Sequence, residues 1–528
     1  MQHLSNLDAS FLHFETPETP MHVGSLMLLE LPPGFQGDFY EQVKAMIGER
    51  VHLARMLTRK LAQMPFELAE PVWIDDDDID LDYHVRSHVL RRPGSMEQLH
   101  QLVARLHSSL LDRSRPLWEM YVIEGLKDGH VAFYTKAHHS GVDGKSGVEM
   151  AKVLYDVSPE IRKVPPPRRR YQRRGFGYQL GVTELLQAAA ANAASQYRKM
   201  ADLLPAAGRA LEAAGRVLAT QRTAPGERPL NLGLAPRTIF NDSITNQRSY
   251  STMALPFDDL KVLGRRVGGT VNTIVMAMCS GALRRYLQAR DLLPRESLIA
   301  AVPVSLRAEG NDEMNNQVTS VRVDLATDLD DPAARFRAIH ASSEAAKAVV
   351  RELRPVLGVD LPSIGTPWIM TSLASLFGRS ALSRELPPLA NVLISNVPGP
   401  ATTLYIAGAR MLCFFPVSIP YHGNGINITV QSYAGSLDFG ITACRRILSQ
   451  AESYELMGYL RDALHEIEQL PSVDGAEAPA DAPAAPRKAA RKRAAPRAAA
   501  SAPPAAGRAS PRKTPARKAA GKRAARAA

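Results

Sequence analysis

The chain has 528 residues, 45% apolar and 22% charged, a length that exceeds one compact core and a balance that suits a globular interior. Its net charge of +11 lies wholly in residues 471–528, which carry 14 Lys/Arg against 3 Asp/Glu and leave 50 of each elsewhere. The body therefore shows no electrostatic sign of nucleic-acid binding. The widely spaced Cys279, Cys413 and Cys444 argue against a disulfide framework or a cysteine zinc site, as in a reducing cytosol.

The opening "MQHLSNLDASFLHFETPETP" has no basic start followed by an apolar run, so no secretory signal is expected. No run of about 18 apolar residues follows, and no spanning helix is predicted. "HVGSLMLLEL", "WEMYVIEGL" and "HVAFYTKAHH" read as strands and "SMEQLHQLVARLHSSLL" as an amphipathic helix. "KSGVEMAKVLYDV" predicts a helix starting near Ser146. Residues 162–177, "RKVPPPRRRYQRRGFG", preclude a core strand. The Ala/Leu-rich stretch 183–221 has helical spacing interrupted at Pro205, either packing on the flanking blocks or lying at a lipid interface.

Further on, "VNTIVMAMCSGALRRYLQAR" predicts a helix, and "SLIAAVPVSLR", "NQVTSVRVDL" and "NVLISNVPGP" predict strands. "INITVQSYAGSLDFGITAC" predicts a hairpin turning at Ala434-Gly435. The Ala/Pro/Lys/Arg tail lacks the apolar content to offset ordering entropy and is expected to be disordered. As a solvated tail, an attachment to anionic lipid or a nucleic-acid contact, it leaves three roles open. The expected division is an N-terminal block 1–160, a basic and helical linker 161–235, a C-terminal block 236–470 and the tail 471–528.

"FYTKAHHSGVDGKSG", residues 133–147, holds the chemistry. In an extended strand Val131, Phe133, Thr135, Ala137 and His139 share one face, and Ala132, Tyr134, Lys136 and His138 the other. Only one histidine can then face a given cavity. From the residues alone three readings stand. His139 is a hydrogen-bonded interior residue with Asp143 capping a helix. Or His139 and Asp143 are metal ligands, for which no HExxH or nearby His/Glu cluster supplies a third. Or His139 is a general base, because neutral imidazole with a pKa near ~6.5 can take a proton from an alcohol or thiol.

His138-His139-x-x-x-Asp143-Gly144 resembles the HHxxxDG signature of the CoA-dependent acyltransferase superfamily, to which chloramphenicol acetyltransferase, condensation domains and plant BAHD transferases belong. Pro116-Leu117-Trp118, "PVSLR" ending at Arg307, "SNVPGP" at 395–400, "RTIFNDSI" at 237–244 and the opening segment resemble the bacterial wax ester synthase/diacylglycerol acyltransferase family. The resemblance covers most of residues 1–470. It implies an α/β fold of two chloramphenicol-acetyltransferase-like domains with a channel between them. It also implies His139 as general base, His138 as a supporting residue, and Asp143 as a loop-shaping acid paired with a distant arginine, for which Arg307 is the candidate. Gly144 and Asn272 are supporting residues. Where the family often has Asn-Asp, this chain has Asn272-Thr273, and Asn272 reads equally as a helix N-cap.

The implied reaction moves a fatty acyl group from acyl-CoA to diacylglycerol or a long-chain alcohol, with no cofactor and no metal. Other acceptors or acyl carriers, or a non-enzymatic basic-tail binding protein, are the alternatives. The expected location is cytoplasmic, on the inner face of the membrane or on lipid droplets. Nucleic acid is not an expected partner. Pro116-Leu117-Trp118 is expected to be a proline-fixed turn with a buried indole, or else acceptor-channel lining.

Overall fold

Each predicted strand alternates residues that suit two covered faces, and two six-stranded sheets result. The computed structural model describes residues 2–62, 71–76, 78–142, 144–166, 233–305, 318–357 and 387–473. The first half runs β1 (Gln2–His3), α1 (Asn6–Phe14), β2 (His22–Glu30), α2 (Phe39–Arg50), β3 (Arg59–Ala62), β4 (Val72–Asp75), α3 (Leu81–His84), β5 (Val85–Val89), α4 (Met96–Ser108), β6 (Trp118–Glu124), β7 (Val131–His138) and α5 (Gly144–Leu154). The second runs β8 (Arg248–Pro256), α6 (Phe257–Arg266), α7 (Val271–Gln288), β9 (Ile299–Ser305), β10 (Val318–Asp324), α8 (Pro332–Leu357), β11 (Val392–Val397), β12 (Tyr405–Ile406), β13 (Ala409–Val417), β14 (Ile426–Tyr433), β15 (Ser436–Cys444) and α9 (Gln450–Glu468).

The first sheet has the order β12-β13-β2-β7-β6-β5 and the second β10-β9-β11-β14-β15-β8, with a small β1-β4-β3 sheet beside the first. β7 is buried along its whole length, which requires cover on both faces. Val131, Phe133 and Ala137 join a core with Phe39, Val43 and Ile47 of α2 and Leu154 of α5. Ala132 and Tyr134 join another with Leu99, Leu102 and Val103 of α4. The expected alternation of faces is therefore observed. Helices α7, α8 and α9 cover one face of the second sheet, around Ile274, Met278, Phe336 and Leu456.

The sheets do not divide where the linker does. β12 and β13 come from the second half yet hydrogen-bond into the first sheet, β13 against β2. β13 then crosses β15 so closely that a Cβ on Gly440 would lie 1.9 Å from the Pro416 carbonyl oxygen, which only glycine avoids. The β14–β15 hairpin turns at Ala434 and Gly435, both at positive φ (43° and 90°), as a primed two-residue turn demands.

α5 starts at Gly144, two residues before the expected Ser146. The predicted helix at 183–221, Asp143, Arg307 and the tail from residue 474 lie outside the described residues. No described helix is long and apolar enough to cross a membrane.

Candidate active site

The site is built from the N-terminal segment inward. Ser5 caps α1, its hydroxyl oxygen accepting from the Asp8 N–H at 3.1 Å and its O–H donating to Asp8 Oδ2 at 2.6 Å. α1 stops at Glu15 because Thr16 precedes Pro17, a position that disfavours helical backbone. Thr16 and Thr19 then close a tight turn through paired backbone hydrogen bonds. The turn delivers Met21 to the start of β2 beside the end of β7.

Both histidines are held by this segment. The His139 N–H donates to the Met21 carbonyl at 2.9 Å, and the His138 N–H to the Leu117 carbonyl at 3.0 Å. His138 is buried, and its Nδ1 accepts from the Ser140 N–H at 3.1 Å and lies 2.7 Å from the Ser140 hydroxyl. An N–H can only donate, so the proton of the neutral ring sits on Nε2. That atom faces Glu15 Oε1 at 3.3 Å. Glu15 also accepts from the Met21 N–H (3.0 Å) and from Arg113 Nε and Nη2 (3.1 and 2.8 Å). Burial alone would raise the Glu15 pKa, but the His138 ring, the Arg113 guanidinium and the Met21 N–H together bring it down to about 2. Glu15 is thus a carboxylate at every physiological pH.

His139 has the opposite setting. Its ring lies parallel to that of Phe11 on α1, with centroids 4.0 Å apart and planes 17° from parallel. It keeps partial access to solvent, while Nδ1 is buried. Burial pushes its pKa down to about 4; its own backbone carbonyl works in the other direction and His138 adds to the lowering. The imidazole is therefore neutral at cellular pH and able to accept a proton.

In Pro116-Leu117-Trp118 the indole is buried as expected of a turn: Leu117 receives the His138 N–H, and the fully buried Trp118 donates from Nε1 to the Leu57 carbonyl at 3.1 Å. Its indole stacks on His84 at 4.2 Å. Gly144 opens α5. Asn272 is not a helix N-cap. Thr270 is, in a capping box with Thr273, and Asn272 occupies the second helical position. Thr273, standing where the family often has aspartate, closes that box and lies 3.1 Å from His340 Nδ1. In "RTIFNDSI", Asn241 donates to the Ala390 and Gly423 carbonyls and accepts from Asn391, which ties the segment to the start of β11. Among the described residues no three His, Cys, Asp or Glu side chains form a metal-binding group.

Sequence reasoning missed Glu15, Arg113 and Phe11. The available signal was local: a capped helix whose Phe11 and Glu15, spaced i and i+4, lie on one face.

The fold is shared with the first condensation domain of the CDA synthetase, at TM-score 0.53 and 15% identity over 90% of this chain and 97% of that one. It is the two-domain mixed α/β fold of the condensation and chloramphenicol-acetyltransferase type. The family described as wax ester synthase/diacylglycerol acyltransferase catalytic domain matches residues 4–275, and the WS/DGAT C-terminal domain matches residues 314–468. The Mycobacterium tuberculosis protein tgs2, named a probable diacylglycerol O-acyltransferase, is 38% identical over 88% of this chain and 98% of its own. The wax ester synthase/diacylglycerol acyltransferase from Marinobacter aquaeolei VT8 superposes with TM-score 0.61 at 30% identity, over 89% of this chain and 99% of that one. The chain belongs to the wax ester synthase/diacylglycerol acyltransferase family.

Proposed function

We propose that this chain transfers a fatty acyl group from acyl-CoA to the hydroxyl of diacylglycerol or of a long-chain alcohol, with His139 as general base. The imidazole takes the hydroxyl proton as the oxygen attacks the thioester carbonyl. The new C–O bond forms, the C–S bond breaks, and the imidazolium returns the proton to the departing CoA thiolate. The thioester is already activated, so the reaction as written needs no cofactor. The observation that carries this reading is a neutral, partly accessible His139 with its backbone locked to Met21 and Nδ1 buried. The tautomer with hydrogen on Nδ1, turned to its own carbonyl, leaves Nε2 as the basic atom.

His138 serves by support: its buried ring joins Ser140 to Glu15 and sets the path of the loop. Asp143 is proposed to hold that loop through an ion pair with Arg307. Asn272 and Gly144 are supporting residues. A water-insoluble acceptor and a basic tail favour peripheral attachment to the cytoplasmic membrane face or lipid droplets.

CoA release is measured with palmitoyl-CoA and either hexadecanol or diacylglycerol. Wild-type chain turns over at least one pair, and His139→Ala falls by about 10²- to 10⁴-fold, the usual worth of a general base. Equal turnover in His139→Ala removes this residue from the base role, and turnover of neither acceptor removes the proposed chemistry.

A further inference from the structure

We propose that Phe11 is a positioning residue for His139, fixing the plane of the base and closing one of its faces to water. The inference rests on His139 being the base. The backbone of His139 is held by the Met21 carbonyl, but that bond leaves the side-chain torsions free. Beside the polar contact of the ring itself, the surface it lies on bears on the ring plane. The Phe11 ring supplies a flat one, and the 4.0 Å centroid separation is tighter than the ~4.5–7 Å common for aromatic pairs.

Phe11 is itself placed with little freedom. It lies one helical turn before Glu15, so α1 addresses His139 with one side chain and His138 with the next on the same face. The helix is capped by Ser5 at its start and gripped at its end by Arg113, which donates to the Leu12 carbonyl at 2.8 Å as well as to Glu15. Turning α1 enough to move Phe11 off the imidazole would break the Glu15 contacts. A base whose proton-accepting atom must point along one line gains from such a mount, since misorientation of a reacting group is costly in rate.

The titratable groups on the surrounding elements are Asp8 and His13 on α1, Glu15 at its C-cap, Lys136 and His138 on β7, and His22 on β2. Of these His138 is the one that acts on His139, and it disfavours protonation. Removing the flat cover admits water without altering any of these charges, so the imidazole should become easier to protonate.

The test uses the full-length chain with Phe11→Leu, which keeps apolar bulk but loses the flat face, and Phe11→Tyr, which keeps the ring. Expected for Phe11→Leu is a kcat lowered about tenfold with KM for acyl-CoA unchanged. Its acid limb should move up toward ~6.5, the value of an open imidazole. Phe11→Tyr should restore both. Independently of turnover, carbethoxylation of His139 followed by peptide mass spectrometry should show a faster reaction in Phe11→Leu. That reaction should also fall off at a higher pH than in wild type. Should leucine unfold the chain, Phe11→Met takes its place. The idea is overturned if the leucine or methionine variant keeps wild-type kcat and pH dependence, or if Phe11→Tyr is as impaired as they are. Full turnover in His139→Ala would instead strike at the base assignment, while the carbethoxylation result still judges the stack.

Discussion

Met21 and Arg113 direct three N–H groups at the buried carboxylate of Glu15, and His138 faces the oxygen that Met21 also meets. An amide there can accept through one oxygen only and would turn its own N–H toward a donor. Glu15→Gln is therefore expected to lower unfolding free energy by about 3 kcal/mol at pH 7, measured by urea denaturation. Turnover should fall with it, because the loop bearing Met21 loses its anchor. The sign with pH follows from a lowered carboxyl pKa. The carboxylate stabilises above the ordinary 4.5 and that contribution fades as pH drops toward about 2, so the gap between wild type and variant should narrow over that window. A Gln variant as stable and active as wild type would reduce Glu15 to a bystander. At this scale the histidine pair was legible as a candidate site, because two histidines, a spacer and Asp-Gly form a compact pattern. Its supports were not, since Glu15 stands more than a hundred residues away and nothing in its own stretch ties it to the histidines.

Helix α4 reads in sequence as an ordinary amphipathic helix, and Ser95 with Gln98 caps it as such a helix should be capped. Its apolar residues do face the first sheet. What the periodicity did not disclose is that His100 and His107, two turns apart, fasten the halves together. His100 lies 2.8 Å from the Tyr454 hydroxyl on α9 and 3.0 Å from the Thr252 hydroxyl on β8. His107 joins the Tyr134 hydroxyl to the Ser418 carbonyl. Burial takes their pKa values down to about 4 and about 3. Unfolding would therefore bind protons on both rings below the ordinary ~6.5. Stability is full above that value and declines as pH falls toward about 4, with a slope of about 1.4 kcal/mol per pH unit for each proton taken up. Urea midpoints should fall between pH 7 and pH 5, and fall less steeply for His100→Gln. A pH-independent midpoint would contradict the assigned burial.

Over the whole molecule, charge and topology separate cleanly. The body is neutral and all excess charge lies on the tail, whose attachment point is set by the Val473 N–H donating to the Arg266 carbonyl at the end of α6. If the tail attaches the enzyme to lipid, a chain ending at Val473 should bind vesicles containing anionic phospholipid at least tenfold more weakly than full-length chain, since each basic residue near such a surface contributes about 1 kcal/mol. Unchanged partitioning in a sedimentation assay would exclude the tail as the anchor. That the chain holds more than one core was legible from its length. The return of β12 and β13 into the first sheet was not, because a strand's sequence specifies that it pairs and which face it buries, but not with which neighbour.

From its residues alone this chain showed several of its strands and helices, the alternation of apolar faces along β7, the charge of its tail, and a histidine pair in a compact pattern with Asp143-Gly144. Those properties are local, arising from side-chain period, turn chemistry and composition. The tertiary structure decided that α1 sits against both histidines, that Glu15 and Arg113 brace one while Phe11 covers the other, and that burial keeps His139 neutral. These depend on which distant segments share a space and on how much water is left there, and no short window of sequence contains either.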